Sequence, residues 1–193
     1  MLEFLDGADT ATVNGYLVER EQHLVQTLRG ADSKLRARLD AACMAQRLAM
    51  AILPSADDVS TEYTHTEQHN ADTIIIIMRM VSVLLKRLFE AGQQAELLGL
   101  VTLLSGLCVA RPLVLPTCLP ALVSRYEQLL STSSTSTYAS LAHALKNALA
   151  SIMSSPAAEP YYPLLMDALS KQPKIPVSGG TRKRAIDDDP SPD

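Results

Sequence analysis

Ile74, Ile77, Val81, Leu84 and Leu88 recur at steps of three and four residues, the spacing that gathers side chains on one face of an α-helix. Arg79, Ser82, Lys86 and Glu90 fall on the opposite face. The run Ile74 to Ile77 alone would suit a buried strand, but the pattern continues for about four turns of 3.6 residues, which a strand does not sustain. A helix is therefore predicted here, capped by Asp72 or Thr73 and stopped by Gly92.

The rest of the chain repeats this design between clear breaks. Val13, Leu17, Leu24 and Leu28 share a face of a first helix that Gly30 ends, and Asp32 is expected to cap a second helix running to Leu53 before Pro54. A polar stretch at 55–71 has no apolar period and reads as a loop longer than packing needs. A fourth helix covers roughly Ala95 to Val109. A fifth starts near Thr117 after Arg111-Pro112, with Pro120 in its first turn and Leu122, Tyr126 and Leu129 buried. Past the Ser/Thr-rich loop from Ser131 to Thr137, a sixth helix from Tyr138 to Ser154 buries Leu141, Leu145, Leu149 and Ile152, and a seventh begins at Pro160.

The fold class expected is all-α. Hydrophobic residues make up 47% of the 193, aromatics only 4%, and there is no Trp. That is the composition of helices packed on helices. Hairpins beginning near residues 72, 114 and 160 repeat at the interval of HEAT or armadillo arrays, so an α-solenoid over residues 1–170 is predicted, followed by a disordered basic-acidic tail at 171–193. An irregular helical bundle is the competing architecture.

Several function classes lose support at this level. A net charge of −4 gives no concentrated basic surface for a phosphate backbone, so direct nucleic-acid binding is not expected. The apolar stretch Leu97 to Ala110 is shorter than the roughly 20 residues of a membrane helix, so no membrane span is expected. The beginning MLEFLDGADT has no basic n-region or apolar h-region, so a start near Met1 is expected. Cys43, Cys108 and Cys118 each sit in an apolar helical context and are predicted to be small buried hydrophobes in a reducing compartment.

No cofactor or metal is expected, and the residues that could contradict this are few. His65 and His69 in HTEQH are four apart, but Glu67 lies about 200° round a helix from His65, not in the place a zincin glutamate takes. His143 could act as a base only beside a distant Ser or Cys. Gly-rich phosphate loops, G-x-S-x-G and CxxC do not occur. Two candidate sites remain. Arg79, Lys86 and Arg87 give the third helix a basic strip that could meet an acidic protein partner, and Arg182, Lys183 and Arg184 form an exposed basic triplet of the kind importins read as a nuclear address.

The segment from about 72 onward resembles the close of the N-terminal HEAT domain of the symplekin family, the scaffolds of pre-mRNA cleavage and polyadenylation, yeast counterpart included. Three landmarks carry the likeness: GLCVARPLVLP (Gly106 to Pro116) leading to Tyr126-Glu127, ASLAHALKNALASIMSSP (Ala139 to Pro156), and TRKR followed by acids (Thr181 to Asp189). Ala142 and His143 stand where the family tends to have Arg and Lys, and the chain is shorter than such a scaffold, so a fragment, truncated product or divergent relative is expected. The resemblance implies a non-enzymatic nuclear platform whose partners are cleavage/polyadenylation factors and a phosphatase of the RNA polymerase II C-terminal domain. The competing classes are a cytoplasmic HEAT-like adaptor and a small all-α enzyme.

Overall fold

The computed structural model describes residues 8–30, 32–55, 67–132 and 136–171, with side chains described from 71 and from 138 in the last two segments. They form α1 (Thr10–Arg29), α2 (Leu35–Ile52), α3 (Glu67–Glu90), α4 (Gln94–Ala110), α5 (Leu115–Ser131), α6 (Ser136–Met153) and α7 (Tyr162–Ser170). Short 3-10 turns at Pro112–Val114 and Pro156–Tyr161 precede α5 and α7. Among the described residues there is no strand.

Local chemistry sets the helix ends, and it moves several of them from where the sequence places them. At the start of α1, Asp9 Oδ1 accepts from the Thr12 N–H at 2.8 Å and its Oδ2 from the Thr12 hydroxyl at 3.0 Å. Those bonds favour the ionised form and hold the Asp9 carboxyl below the ordinary carboxylate range. Gly30 does end α1, but as extended backbone at φ −62, so its use is space: a Cβ there would meet Ser33 Oγ at 2.7 Å. Asp32 does not cap α2. The cap position is Lys34, without a side-chain bond, because Arg38 reaches back to the Ser33 carbonyl at 2.6 Å and pins the connection outside the helix.

The predicted cap of α3 is also displaced, since the helix begins at Glu67 and takes in the end of the stretch expected to be a loop. Thr73 lies inside it, buried, and its hydroxyl donates to Asn14 Oδ1 at 2.7 Å across to α1. A tertiary bond therefore takes the place of the expected cap. Likewise α5 starts two residues early, at Leu115, with Pro116 near its N-terminus and Pro120 in the second turn rather than the first. Both prolines are exposed, so the Pro116 carbonyl that Pro120 leaves without a donor faces water. The seventh helix begins at Tyr162 because Pro156–Tyr161 is wound as a 3-10 turn.

Packing follows a simple rule: α1 packs on α2, α3 on α4, α5 on α6, while α1 also packs on α3 and α2 on α4, which in turn packs on α6. The bonds that join α1 to α3 link residues 59 and 58 apart, Thr73 to Asn14 and Arg79 to Glu21. Those joining α2 to α4 link residues 58, 57 and 61 apart: Arg38 to Glu96, Gln46 to the Leu103 carbonyl, and Arg111 to the Met50 carbonyl. Both helices of the second hairpin thus sit parallel to those of the first at nearly one sequence offset. From α5 to the end of α7 the Lys171–Glu127 bond spans 44. The first interval is longer because the chain carries extra residues between α2 and α3.

One continuous apolar core results, with Leu17, Ile77, Leu84, Leu88, Leu104, Leu122, Leu145 and Leu149 fully out of water. Full burial of each such side chain contributes about 1.5–3 kcal/mol. The predicted face of α3 is buried at Ile77, Val81, Leu84 and Leu88, and half-buried at Ile74. That of α6 is buried at all four predicted positions. Between α2 and α4 the glycines of α4 admit side chains of α2: a Cβ on Gly99 would lie 2.6 Å from Leu39 Cδ2, and one on Gly106 would lie 3.4 Å from Gln46 Nε2.

Candidate protein-binding surface

The basic strip divides when α3 is seen in place. Positions 79 and 86 are seven residues apart, two turns, and so point the same way; position 87 lies another 100° round, toward α4. Arg79 is 52% exposed with Nη2 at 2.8 Å from Glu21 Oε2, and Lys86 is 61% exposed and 3.9 Å from Glu90. Arg87 is only 17% exposed. Its Nε donates to Glu96 Oε1 at 2.6 Å and its Nη2 to Oε2 at 3.1 Å, while Arg38 Nε, from α2, donates to Oε2 at 3.1 Å.

Glu96 is 1% exposed, so a carboxylate at the start of α4 is held by two guanidiniums, one from α2 and one from α3. The Glu96 hydrogen bonds raise the Arg87 pKa, against the opposing pull of burial. Arg87 is accordingly an internal clamp between α3 and α4 and not part of an outward strip. The deciding residue, Glu96, lies on the following helix, and nothing in the α3 pattern signals it.

What stands outward on α3 is a mixed row: Ile75, Arg79, Ser82, Lys86, Phe89 and Glu90 are all exposed. Phe89 lies under the Arg125 guanidinium of α5, 5.6 Å from its ring centroid, and Arg125 Nη1 donates to Gln128 Oε1 at 2.6 Å. Such a contact contributes about 0.5–1 kcal/mol at an exposed site. Sequence reasoning missed both Phe89 and Arg125. The available signal was that Phe89 is one residue out of phase with the buried Leu88, an aromatic placed where the pattern requires a polar side chain.

The remaining candidates separate cleanly. His143 is exposed on α6 with Nε2 3.2 Å from the Asn147 amide nitrogen, one turn on. Cys108 and Cys118 are buried, and the hydrogen bond between them together with burial drives the Cys108 thiol pKa far up, which leaves it an unreactive thiol. Cys43, expected to be buried, is exposed, because the inward arc of α2 runs through Ala42, Ala45 and Ala49. Of HTEQH, His65 lies outside the described residues, while Glu67 and His69 belong to the first turn of the α3 backbone. Among the described residues no group of three or more His, Cys, Asp or Glu could hold a metal ion.

The basic triplet Arg182, Lys183 and Arg184, with the whole tail from 172, lies outside the described residues. No single helix among those described is long and apolar enough to cross a membrane; α4 and the segment Pro112–Ser131 pass such a test only as a pair bent by 118°, and both contribute heavily to the core. No protein-family model, curated protein or solved structure matches the chain.

Proposed function

We propose that the chain is a non-enzymatic protein-binding scaffold, built as a short HEAT-like solenoid, that serves pre-mRNA cleavage and polyadenylation in the nucleus. The observation that carries the architectural half of this reading is the near-constant offset of 57–61 residues between bonded positions of the first and second hairpins. A hairpin laid on the next in parallel and in register is the unit of a solenoid, in which each unit buries the apolar face its neighbour would leave in water. An irregular bundle has no reason to keep one offset in both rows.

The choice of process rests on the resemblance of Gly106–Pro116, Ala139–Pro156 and Thr181–Asp189 to the symplekin family. Its partners are then cleavage/polyadenylation factors and a phosphatase acting on the RNA polymerase II C-terminal domain. The docking face is the outward row of α3 extended to α5: Ile75, Arg79, Lys86, Phe89 and Arg125. Apolar anchors at Ile75 and Phe89 among cations suit a partner surface of apolar and acidic residues.

Titration of the purified chain with such a phosphatase by calorimetry tests this. Binding that weakens with salt and with Phe89→Ala is expected, and no heat at low salt would overturn the phosphatase assignment. Import is tested separately with a fluorescent fusion too large to diffuse through the nuclear pore. Replacing Arg182, Lys183 and Arg184 by Ala is expected to leave it in the cytoplasm; unchanged nuclear accumulation would remove the nuclear address.

A further inference from the structure

The first hairpin carries a groove between its helices. Arg20, His23 and Leu24 of α1 face Met44 and Leu48 of α2 across a shallow space of about 200 Å³, floored by Met80 of α3. Small side chains create it: Ala41 and Ala45 stand one turn apart on α2, where larger residues would close the space. Leu24, Leu48 and Met80 are buried, Met44 is half-buried and His23 exposed, so the bottom is apolar and the rim carries the polar groups.

The state of Arg20 sets this groove apart. Among the described residues, the arginines partly or fully withdrawn from water are Arg20, Arg38, Arg87, Arg111 and Arg125. Arg38 and Arg87 spend nitrogens on Glu96, Arg111 on the Met50 carbonyl and Arg125 on Gln128. Arg20 has no acceptor among the described residues: its guanidinium lies over the Tyr16 ring, 4.8 Å from the centroid, and its Nε is buried without a partner. Its neighbour Glu21 does not fill the gap, being bound to Arg79. The ring holds the guanidinium at the rim, half-stripped of water and short of an anion. Arg87, which grips both oxygens of Glu96, shows what such a group takes in this same fold.

We propose that the groove docks an acidic–aliphatic helix of another protein, in which a Leu or Met enters over Ala41 and Ala45 and an Asp or Glu one turn away pairs with Arg20. Charge complementarity selects the acid, and the apolar bottom selects its companion. The spacing follows from the walls. Arg20 and Leu24 are four residues apart, about 6 Å along α1 at 1.5 Å per residue, which is the interval between side chains one turn apart on the incoming helix. Met44 and Met80 bring thioethers that re-pack around whatever enters, and His23 adds a second polar group to the rim on the Arg20 side. The proposal does not rest on the nuclear assignment or on the outward row of α3, none of whose residues it uses.

The probe is a capped peptide of about 15 residues, long enough to hold a helix, with Glu–Leu pairs at one-turn spacing on an alanine and glutamine background. A second peptide has Gln in place of each Glu. The full chain is labelled at its Met methyl groups and titrated with each. Saturable shifts of the Met44 and Met80 signals are expected with the Glu peptide while Met153 on α6 keeps its shift, and binding of the Gln peptide should be about tenfold weaker. Arg20→Gln is expected to weaken the Glu peptide by the same factor and to leave the Gln peptide unaffected, which isolates the pair from any change in the wall. An equal loss with both peptides would show that Arg20 only supports the groove and would overturn the proposal. So would unmoved Met44 and Met80 signals at millimolar Glu peptide, or signals that shift with chain concentration alone, since the occupant would then be a second copy.

Discussion

Arg111 donates from Nε, at 3.1 Å, and from Nη2 to a single acceptor, the carbonyl oxygen of Met50. Met50 sits in the last turn of α2, where its natural helical donor would be the N–H of residue 54; that residue is Pro54 and has none. The side chain that closes α4 therefore completes the end of α2, and the Arg-Pro pair of the sequence becomes a joint between hairpins.

Replacing Arg111 by Ala is expected to cost about 1.5–3 kcal/mol, the range for hydrogen bonds to a charged group. Lys, which cannot present two parallel donors, should recover only part of this. Urea midpoints of the two variants decide it, and an unchanged midpoint for Arg111→Ala would show the bond to be idle.

At Glu96 the effect is far larger than that of a surface charge. Glu96→Ala leaves Arg38 and Arg87 facing one another with no anion between them, and breaking such a buried arrangement from one side costs about 3–5 kcal/mol. Arg87→Glu is expected to be as damaging. Chemical denaturation followed by circular dichroism measures both, and a loss below about 1 kcal/mol, as for exposed pairs, would refute the clamp.

Arg79 and Lys86 should behave differently. The double change to Glu breaks the exposed Lys86–Glu90 pair, worth about 0–1 kcal/mol, and the Arg79–Glu21 pair, whose carboxylate is half-buried, so helix content should persist with a modest fall in melting temperature. Partner binding should fall tenfold or more if the α3 row is the docking face, as like charges now oppose, and the loss should shrink with salt because exposed charges are screened over about 10 Å at 0.1 M. Undiminished capture of the phosphatase by this folded variant would move the site elsewhere.

Two glycines of α4 make a matched comparison. Gly99→Leu thrusts a side chain into Leu39 and is expected to cost about 1–3 kcal/mol by overpacking. Gly106→Ala meets only Gln46 Nε2 at 3.4 Å, and the better helix propensity of Ala, about 1 kcal/mol, should leave it neutral or slightly stabilising. Equal effects at the two positions in thermal melts would contradict the close approach at Gly99.

The buried stripes of α3 and α6 were legible because each depends on its own helix alone: Ile77, Val81, Leu84 and Leu88, or Leu141, Leu145, Leu149 and Ile152, need no knowledge of a partner. Breaks at Gly30, Pro54, Gly92 and Pro112 were legible for the same local reason. What failed depended on a second element. The Thr73 hydroxyl is taken up by Asn14 on α1, the inward turn of Arg87 is set by Glu96 on α4, and the stacking of Phe89 by Arg125 on α5. For Cys43 the fault was different: an apolar neighbourhood in sequence was taken for an apolar face, although position 43 is 100° away from Ala42.

Gly99 and Gly106 lie one heptad apart on α4, opposite Leu39 and Gln46, which are also one heptad apart on α2. Those two notches receive the Leu39 and Gln46 side chains of α2. A slide of one turn, about 5.4 Å, would bring Ala95 or Leu103 against Leu39, and the helices would have to separate before they could travel. The joint between the first two hairpins thus works as a detent: it admits rocking about the line of contact but resists translation along it. Strain applied to the α3 row should therefore reach the far side of the first hairpin as a change of tilt, with the interval between the helices kept.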